Sequence, residues 1–131
     1  MVKNKIIKKI YNDFLPVIKT KDILGILLFG SYSKDQQTNR SDIDICVVAP
    51  HIDNHDLYSY ILSQIDVKTK KYDIRMFSEL PIHIKIRIIE DGELIYSPNQ
   101  YDLYEYFYFY RKLWEDQKRR QEITKKELLS F

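Results

Sequence analysis

Two strand-length apolar runs constrain the fold of this chain more than any other feature. The first, Asp22–Phe29 (DILGILLF), is followed directly by Gly30 and Ser31. The second, Asp42–Ala49 (DIDICVVA), begins with alternating acidic and apolar residues and ends at Pro50. Nearly continuous apolar segments of this length are typical of strands that are buried on both faces. We therefore predict two buried strands, each with polar residues at one end.

The remaining periodicity predicts helices and two shorter strands around this pair. We predict helices over Val2–Phe14, over Asp53–Ile65, through Ile82, Ile86 and Ile89 with Ser78 as its cap, and from Gln100 to about Lys126. We also predict an end or kink at Pro16, a helical turn over Ser31–Gln37, a loop over Thr38–Ser41, strands over Tyr72–Phe77 and Glu93–Tyr96, and a turn at Asp91–Gly92. This order indicates an α/β (α+β) fold, with helices packed on a small mixed sheet.

The composition favours one globular domain over residues 1–131 and excludes several classes of protein. A chain of 131 residues is of single-domain size, and its net charge of +2 gives no electrostatic case for direct nucleic-acid binding. No window approaches the 18 apolar residues of a membrane span, and the lysine-rich start is not a signal peptide. The only cysteine, Cys46, cannot form an internal disulfide, which fits a cytoplasmic protein.

Three aspartates are the candidate metal ligands and catalytic groups. Residues two apart in a strand point to the same face, so Asp42 and Asp44 project side by side, with Cα atoms roughly 7 Å apart. Two neighbouring carboxylates repel each other unless a cation lies between them, and Mg²⁺ accepts a few carboxylates plus substrate phosphates. Asp73 supplies a third carboxylate if its strand lies beside the first. A lone Asp-x-Asp is more often a solvated strand edge, so the prediction depends on its combination with Gly30–Ser31.

Gly30 and Ser31 are the candidate phosphate-binding residues. Glycine lets a phosphate approach the backbone closely, and the N–H groups that open a helical turn favour an anion. A Gly-Ser after a strand is a simple turn in most proteins. Together with the aspartates it indicates in-line attack at phosphorus, with one metal ion activating the nucleophile and a second holding the triphosphate.

The residues Gly30, Ser31, Asp42 and Asp44, with about ten residues between the two pairs, resemble the signature of the nucleotidyltransferase superfamily related to DNA polymerase beta. The small size, the Tyr72–Asp73–Ile74 run and the Ile89–Tyr96 segment resemble the minimal nucleotidyltransferases (MNT) of HEPN/MNT toxin–antitoxin pairs. One difference is Lys34–Asp35, where the superfamily often has Arg-Gly.

The resemblance implies the polymerase beta-like fold. It also implies that the chain is the antitoxin of a type VII-like toxin–antitoxin pair, in which the toxin is a HEPN ribonuclease. Some MNT proteins transfer AMP from ATP to a tyrosine of the toxin (AMPylation) and so neutralise it. By this resemblance, Asp42, Asp44 and Asp73 would bind Mg²⁺ as two ions, and Asp73 would help activate the acceptor hydroxyl. Gly30 and Ser31 would hold the phosphates of ATP.

The segment Tyr101–Tyr110 (YDLYEYFYFY) makes the last helix aromatic on several sides. One predicted stripe holds Leu103, Phe107, Tyr110 and Trp114, a second holds Tyr104, Tyr108 and Arg111, and Tyr106 and Phe109 face elsewhere. A small sheet covers only one side of a helix, so the aromatic residues are either all core or partly an interface. In the interface alternative, the chain forms a homo- or hetero-oligomer through the aromatic part of this helix, residues 101–114. The basic residues at 118–120 and 125–126 indicate a solvated face.

Three functions therefore remain open. The first is a Mg²⁺-dependent adenylyltransferase that modifies a HEPN toxin. The second is a non-enzymatic antitoxin that keeps the fold and blocks the toxin stoichiometrically through its last helix, which the Lys34–Asp35 difference motivates. The third, modification of a small molecule, ranks last because such enzymes carry an additional helical domain. His51, His55 and His83 have no catalytic spacing, and we assign them no role.

Overall fold

A four-stranded mixed sheet forms the centre of the computed structural model, which describes residues 2–30 and 42–129, with side chains from residue 4 onwards. The strands lie in the order β3-β2-β1-β4, and β1 is antiparallel to both of its neighbours, whereas β2 and β3 are parallel. Their bounds are Gly25–Phe29 for β1, Ile43–Val48 for β2, Tyr72–Met76 for β3 and Glu93–Tyr96 for β4. The predicted small mixed sheet is confirmed.

Helices cover both faces of this sheet. Their bounds are Val2–Asp13 for α1, Leu15–Thr20 for α2, Asn54–Gln64 for α3, Val67–Lys70 for α4, Ile82–Asp91 for α5 and Gln100–Leu129 for α6, with a 3-10 turn at Phe77–Glu79. Each face of β2 contributes to a separate apolar cluster. Ile43, Ile45 and Val47 pack with residues of α1, α2 and α3, whereas Cys46 and Val48 pack with residues of α5 and α6. This two-sided burial explains why β2 is apolar on both faces beyond its first residues.

Two predictions about helix boundaries are wrong, and proline explains both. Pro16 does not end α1 but lies in the first turn of α2, where its missing N–H costs nothing. Ser78 does not cap α5, because it lies in the 3-10 turn and Leu80 is extended before Pro81. A residue before proline avoids the helical conformation, so α5 begins only at Ile82.

Other boundaries differ by a few residues, and the short helices α2 and α4 were not predicted. The first strand begins at Gly25 rather than at Asp22, and Asp91 ends α5 rather than opening a turn. Helix α4 follows α3 and connects it to β3. Its Lys70 pairs with Asp13 at 3.1 Å, and the Tyr72 hydroxyl donates to the same carboxylate at 2.5 Å. These contacts join the end of α1 to the start of β3. The predicted turn and loop over residues 31–41 lie outside the described residues.

Helix α6 is partly core and partly exposed, which excludes the alternative that all of its aromatic residues are core. Leu103 and Phe107 are buried, whereas Tyr101, Tyr104, Tyr108 and Phe109 are 55–69% exposed. Tyr106 does not face away, because its ring lies 5.8 Å from that of Phe77. The basic residues from 118 onwards are exposed, as predicted. Within the described parts of the chain, no helix is long and apolar enough to cross a membrane.

Candidate active site

The parallel pairing of β2 and β3 brings two of the three predicted aspartates together. Asp44 and Asp73 are register partners on these neighbouring strands, and both are half-buried. Asp44 also lies opposite Phe29 of β1, one residue before Gly30. Helices α5 and α6 bury Cys46 and Val48 farther along this face of β2 but leave Asp44 only partly covered. The candidate site therefore lies where β1 ends and β2 and β3 begin.

Asp42 contributes to this site through its charge. It precedes β2, is exposed, and raises the pKa of Asp44. Among the described side chains, those of residues 4–30 and 42–129, no three His, Cys, Asp or Glu groups are close enough together to enclose a metal ion. The chemistry of the donors nevertheless fits a divalent cation, because three carboxylates concentrate negative charge at one end of two strands.

The strongest electrostatic perturbation of the site falls on Asp44. Burial, the negative charge of Asp73, a hydrogen bond with Asp73 and the charge of Asp42 raise the pKa of the Asp44 carboxyl to about 6. Arg75 partly offsets this rise. A cation beside this carboxyl would favour its ionised form and so lower its pKa again. A bound divalent metal ion would supply this positive charge.

Arg75 provides a fixed positive charge next to the carboxylate pair. Its guanidinium contacts both oxygens of Asp73, from Nε to Oδ1 and from Nη2 to Oδ2, at 3.3 Å each. The two residues are two apart in β3, so they lie on the same face of this strand. A forked contact of this kind fixes the orientation of a carboxylate as well as its charge. The sequence reasoning missed Arg75, although its spacing of two from Asp73 was the available signal.

Position 30 requires glycine because of its backbone conformation and because the Asp44 side chain lies so close to it. Its φ of +72° lies in the left-handed region, which side chains other than glycine rarely adopt. A Cβ at this position would also overlap the Asp44 carboxylate oxygen. The glycine therefore lets the end of β1 approach the carboxylates closely, which fits the predicted approach of a phosphate to the backbone. Ser31, the other predicted phosphate-binding residue, lies outside the described residues, as do Lys34 and Asp35.

The stability of the metal-free protein is expected to fall as the pH rises through the range in which Asp44 titrates. The pKa of the Asp44 carboxyl is about 6 in the folded chain, raised from its usual value of 3.8. Between these values the folded state holds more protons than the unfolded state, so raising the pH lowers the free energy of unfolding. In EDTA, we expect Asp44→Asn to melt at a higher temperature than the wild type at pH 7, and the difference to shrink towards pH 4.

Magnesium provides the matched control for this thermal unfolding series. Added Mg²⁺ should raise the melting temperature of the wild type at pH 7, because an ion that binds only the folded state stabilises it. It should have little effect on Asp44→Asn. Equal melting temperatures of the two proteins at pH 7 in EDTA would contradict the perturbed titration of Asp44.

Comparison with known proteins supports the fold. Residues 12–101 match the family described as "Polymerase beta, Nucleotidyltransferase". A Methanocaldococcus jannaschii protein named "Putative protein adenylyltransferase MJ1547" is 43% identical over 98 residues, which are 75% of each chain. The segment that matches the family includes the candidate residues Gly30, Asp42, Asp44 and Asp73.

Two solved structures have a similar fold. One, a toxin–antitoxin with AMP-PNP, is 24% identical with a TM-score of 0.63, over 90% of this chain and 98% of the other. The second is a tri-AMPylated Shewanella oneidensis HEPN toxin in complex with MNT antitoxin. Its matching chain is 23% identical with a TM-score of 0.56, over 96% of this chain and 95% of the other. The predicted polymerase beta-like fold and the resemblance to MNT antitoxins are confirmed.

Proposed function

Because this chain belongs to the polymerase beta-type nucleotidyltransferase family, we propose that it is a cytoplasmic antitoxin that transfers AMP from ATP to a tyrosine hydroxyl of a HEPN-family toxin. The relative named as a protein adenylyltransferase supports a protein acceptor. The solved complexes with AMP-PNP and with an AMPylated HEPN toxin support the nucleotide and the partner. The modification would neutralise the toxin.

The pairing of Asp44 with Asp73 beside Gly30 is the observation that carries this proposal. Carboxylates from two adjacent strands converge where a glycine lets the backbone come close, so the ligands for a metal–triphosphate complex lie together. Asp42, Asp44 and Asp73 would hold Mg²⁺, and two ions suit this donor set. Bound Mg²⁺ would neutralise the charge of the triphosphate and of the transition state.

The residues of the chain have distinct roles in the proposed transfer. The tyrosine oxygen attacks the α-phosphorus of ATP in line with the leaving group, and a new P–O bond forms. The bond from the α-phosphorus to the bridging oxygen breaks, and pyrophosphate leaves with the electron pair. Asp73, oriented by Arg75, accepts the phenolic proton. Gly30 and Ser31 hold the phosphates, and Asp42 and Asp44 bind the metal ions.

Transfer of labelled AMP tests the proposal directly. The chain is incubated with Mg²⁺, α-labelled ATP and the HEPN-family toxin proposed as its partner, and the labelled residue is identified by mass spectrometry. We expect AMP on a tyrosine of the toxin and loss of its ribonuclease activity. ATP labelled at the γ-phosphate is the matched control and should leave no label on the protein. An unlabelled toxin, or label on another residue type, would contradict the proposal.

Stoichiometric blocking is the second candidate function, and the outer face of α6 favours it. Tyr101, Tyr104 and Tyr108 follow one another at helical spacing and are 55–69% exposed. The Lys112 ammonium lies 5.9 Å from the centre of the Tyr108 ring. Aromatic residues with neighbouring cations are typical of protein interfaces. This outer face of α6, defined by these four residues, would cover the toxin in a purely binding mechanism.

Variants of the outer face of α6 and of the active site separate the two mechanisms. The double variant Tyr104→Ala with Tyr108→Ala should weaken toxin binding by about 30-fold or more, since even one aromatic hot-spot residue contributes about 2 kcal/mol or more. Under blocking alone, this variant loses protection of cells, whereas Asp44→Asn retains it. Under AMP transfer, Asp44→Asn loses protection although it still binds the toxin. Protection by Asp44→Asn at wild-type level would contradict the enzymatic mechanism.

A further inference from the structure

An open pocket of about 540 Å³ adjoins the candidate active site along the outer edge of β3. Asp73 and Arg75 line it from the strand, His55 and Tyr58 from α3, and Glu79 and Leu80 from the segment after β3. Its volume is within the range of roughly 300–1,000 Å³ that is usual for ligand sites. The proposed metal and phosphate site does not use four of these six residues.

We propose that this pocket, here named the edge pocket, binds the tyrosine side chain that receives AMP, with the adjoining backbone of the partner. The inference rests on the proposed function, because it assigns the acceptor to one side of the same site. The edge pocket includes Asp73, the carboxylate that would accept the phenolic proton. A phenol seated there has its oxygen beside the carboxylate pair, on the edge of the sheet away from Gly30 and β1.

The lining of the edge pocket suits an aromatic side chain with a polar end. Tyr58 and Leu80 offer apolar surface for the ring, and Asp73 offers an acceptor for the hydroxyl. Arg75 holds the Asp73 carboxylate through its two contacts of 3.3 Å, so the oxygen that meets the phenol is fixed in place. A side chain without a hydroxyl would fill the same space but would donate no hydrogen bond to this carboxylate.

The position of the edge pocket favours an acceptor that is part of a protein. β3 is the edge strand of the sheet, and Tyr58 is 39% exposed. The pocket is therefore accessible from the side to a segment of a larger molecule. Its two walls are joined by a hydrogen bond of 2.7 Å, in which the Asn54 amide of α3 donates to the Ser78 hydroxyl. This bond holds α3 and the 3-10 turn together on either side of the pocket.

Photo-crosslinking from the edge pocket tests the position of the acceptor without requiring turnover. Tyr58 is replaced by p-benzoylphenylalanine in the full chain that also carries Asp44→Asn, and the chain is irradiated in complex with the HEPN-family protein. We expect the crosslinked peptide of the toxin to contain the tyrosine that the wild type labels with AMP. The same replacement at Tyr101, at the start of α6, is the matched control and should crosslink a different segment. Crosslinking from position 58 to another segment, or to none, would overturn the inference.

Kinetics supply a second, independent measurement. Tyr58→Ala should raise KM for the toxin by about 10-fold and leave KM for ATP unchanged, whereas Tyr58→Phe should keep the wild-type value for both. An equal change in both KM values, or no change in either, would overturn the inference. AMP labelling by the wild type decides the proposed function separately, since the toxin is either labelled on tyrosine or not, wherever the crosslink falls.

Discussion

Asp44→Asn is expected to lower the rate of AMP transfer by about 1,000-fold or more while the chain stays folded and binds the toxin. The substitution keeps the shape of the side chain but removes the charge that would hold the metal ion between β2 and β3. Metal ions contribute several kcal/mol to such transition states, and each 1.36 kcal/mol is a factor of ten in rate. Single-turnover transfer from labelled ATP to the toxin measures the effect.

The matched controls for Asp44→Asn separate lost chemistry from lost structure. Asp56→Asn, on the exposed first turn of α3, removes a carboxylate outside the site and should leave the rate of transfer unchanged. Binding of the toxin, measured by calorimetry, should be the same for the wild type and for Asp44→Asn. A rate within tenfold of the wild type would show that Asp44 is not a metal ligand in this reaction.

The core of the candidate site could be predicted because strand periodicity and pairing are short-range rules. The alternation that opens Asp42–Ala49 places the aspartates on one face of the strand, while Ile43, Ile45 and Val47 pack into one core on the other. Asp73 was predicted to join the site only if its strand lay beside the first one. A β-strand pattern does not specify its neighbours, so the register of Asp44 with Asp73 needed the structure.

The residues that the sequence reasoning missed depend on contacts between distant parts of the chain. His55 and Tyr58 were assigned to helix α3, but nothing in its periodicity indicates that they lie beside the edge of β3. Tyr106 was placed outside both predicted stripes because helical spacing alone does not show how far the core extends around α6. The 3-10 turn after β3 extends this core, since it brings the ring of Phe77 against Tyr106.

Phe77→Ala is expected to destabilise the chain by about 3–5 kcal/mol, the usual cost of truncating a buried phenylalanine. The Phe77 ring is completely buried, and its centre lies 5.8, 5.2 and 5.4 Å from those of Tyr106, Phe107 and Tyr110. Three aromatic neighbours on one helix cannot all move into the space that the ring leaves. The loss should lower the melting temperature by roughly 10 °C or more.

The contacts of Phe77 also tie the last helix to the edge of the sheet that holds the candidate site, because Phe77 directly follows β3, the strand that carries Asp73. We therefore expect Phe77→Ala to increase amide hydrogen exchange in α6 around Phe107 more than in α3. Tyr108→Ala, which removes an exposed ring from the same helix, is the matched control and should change the melting temperature by only a degree or two. If Phe77→Ala destabilised the chain no more than Tyr108→Ala does, the aromatic cluster would not be what holds α6 on the sheet.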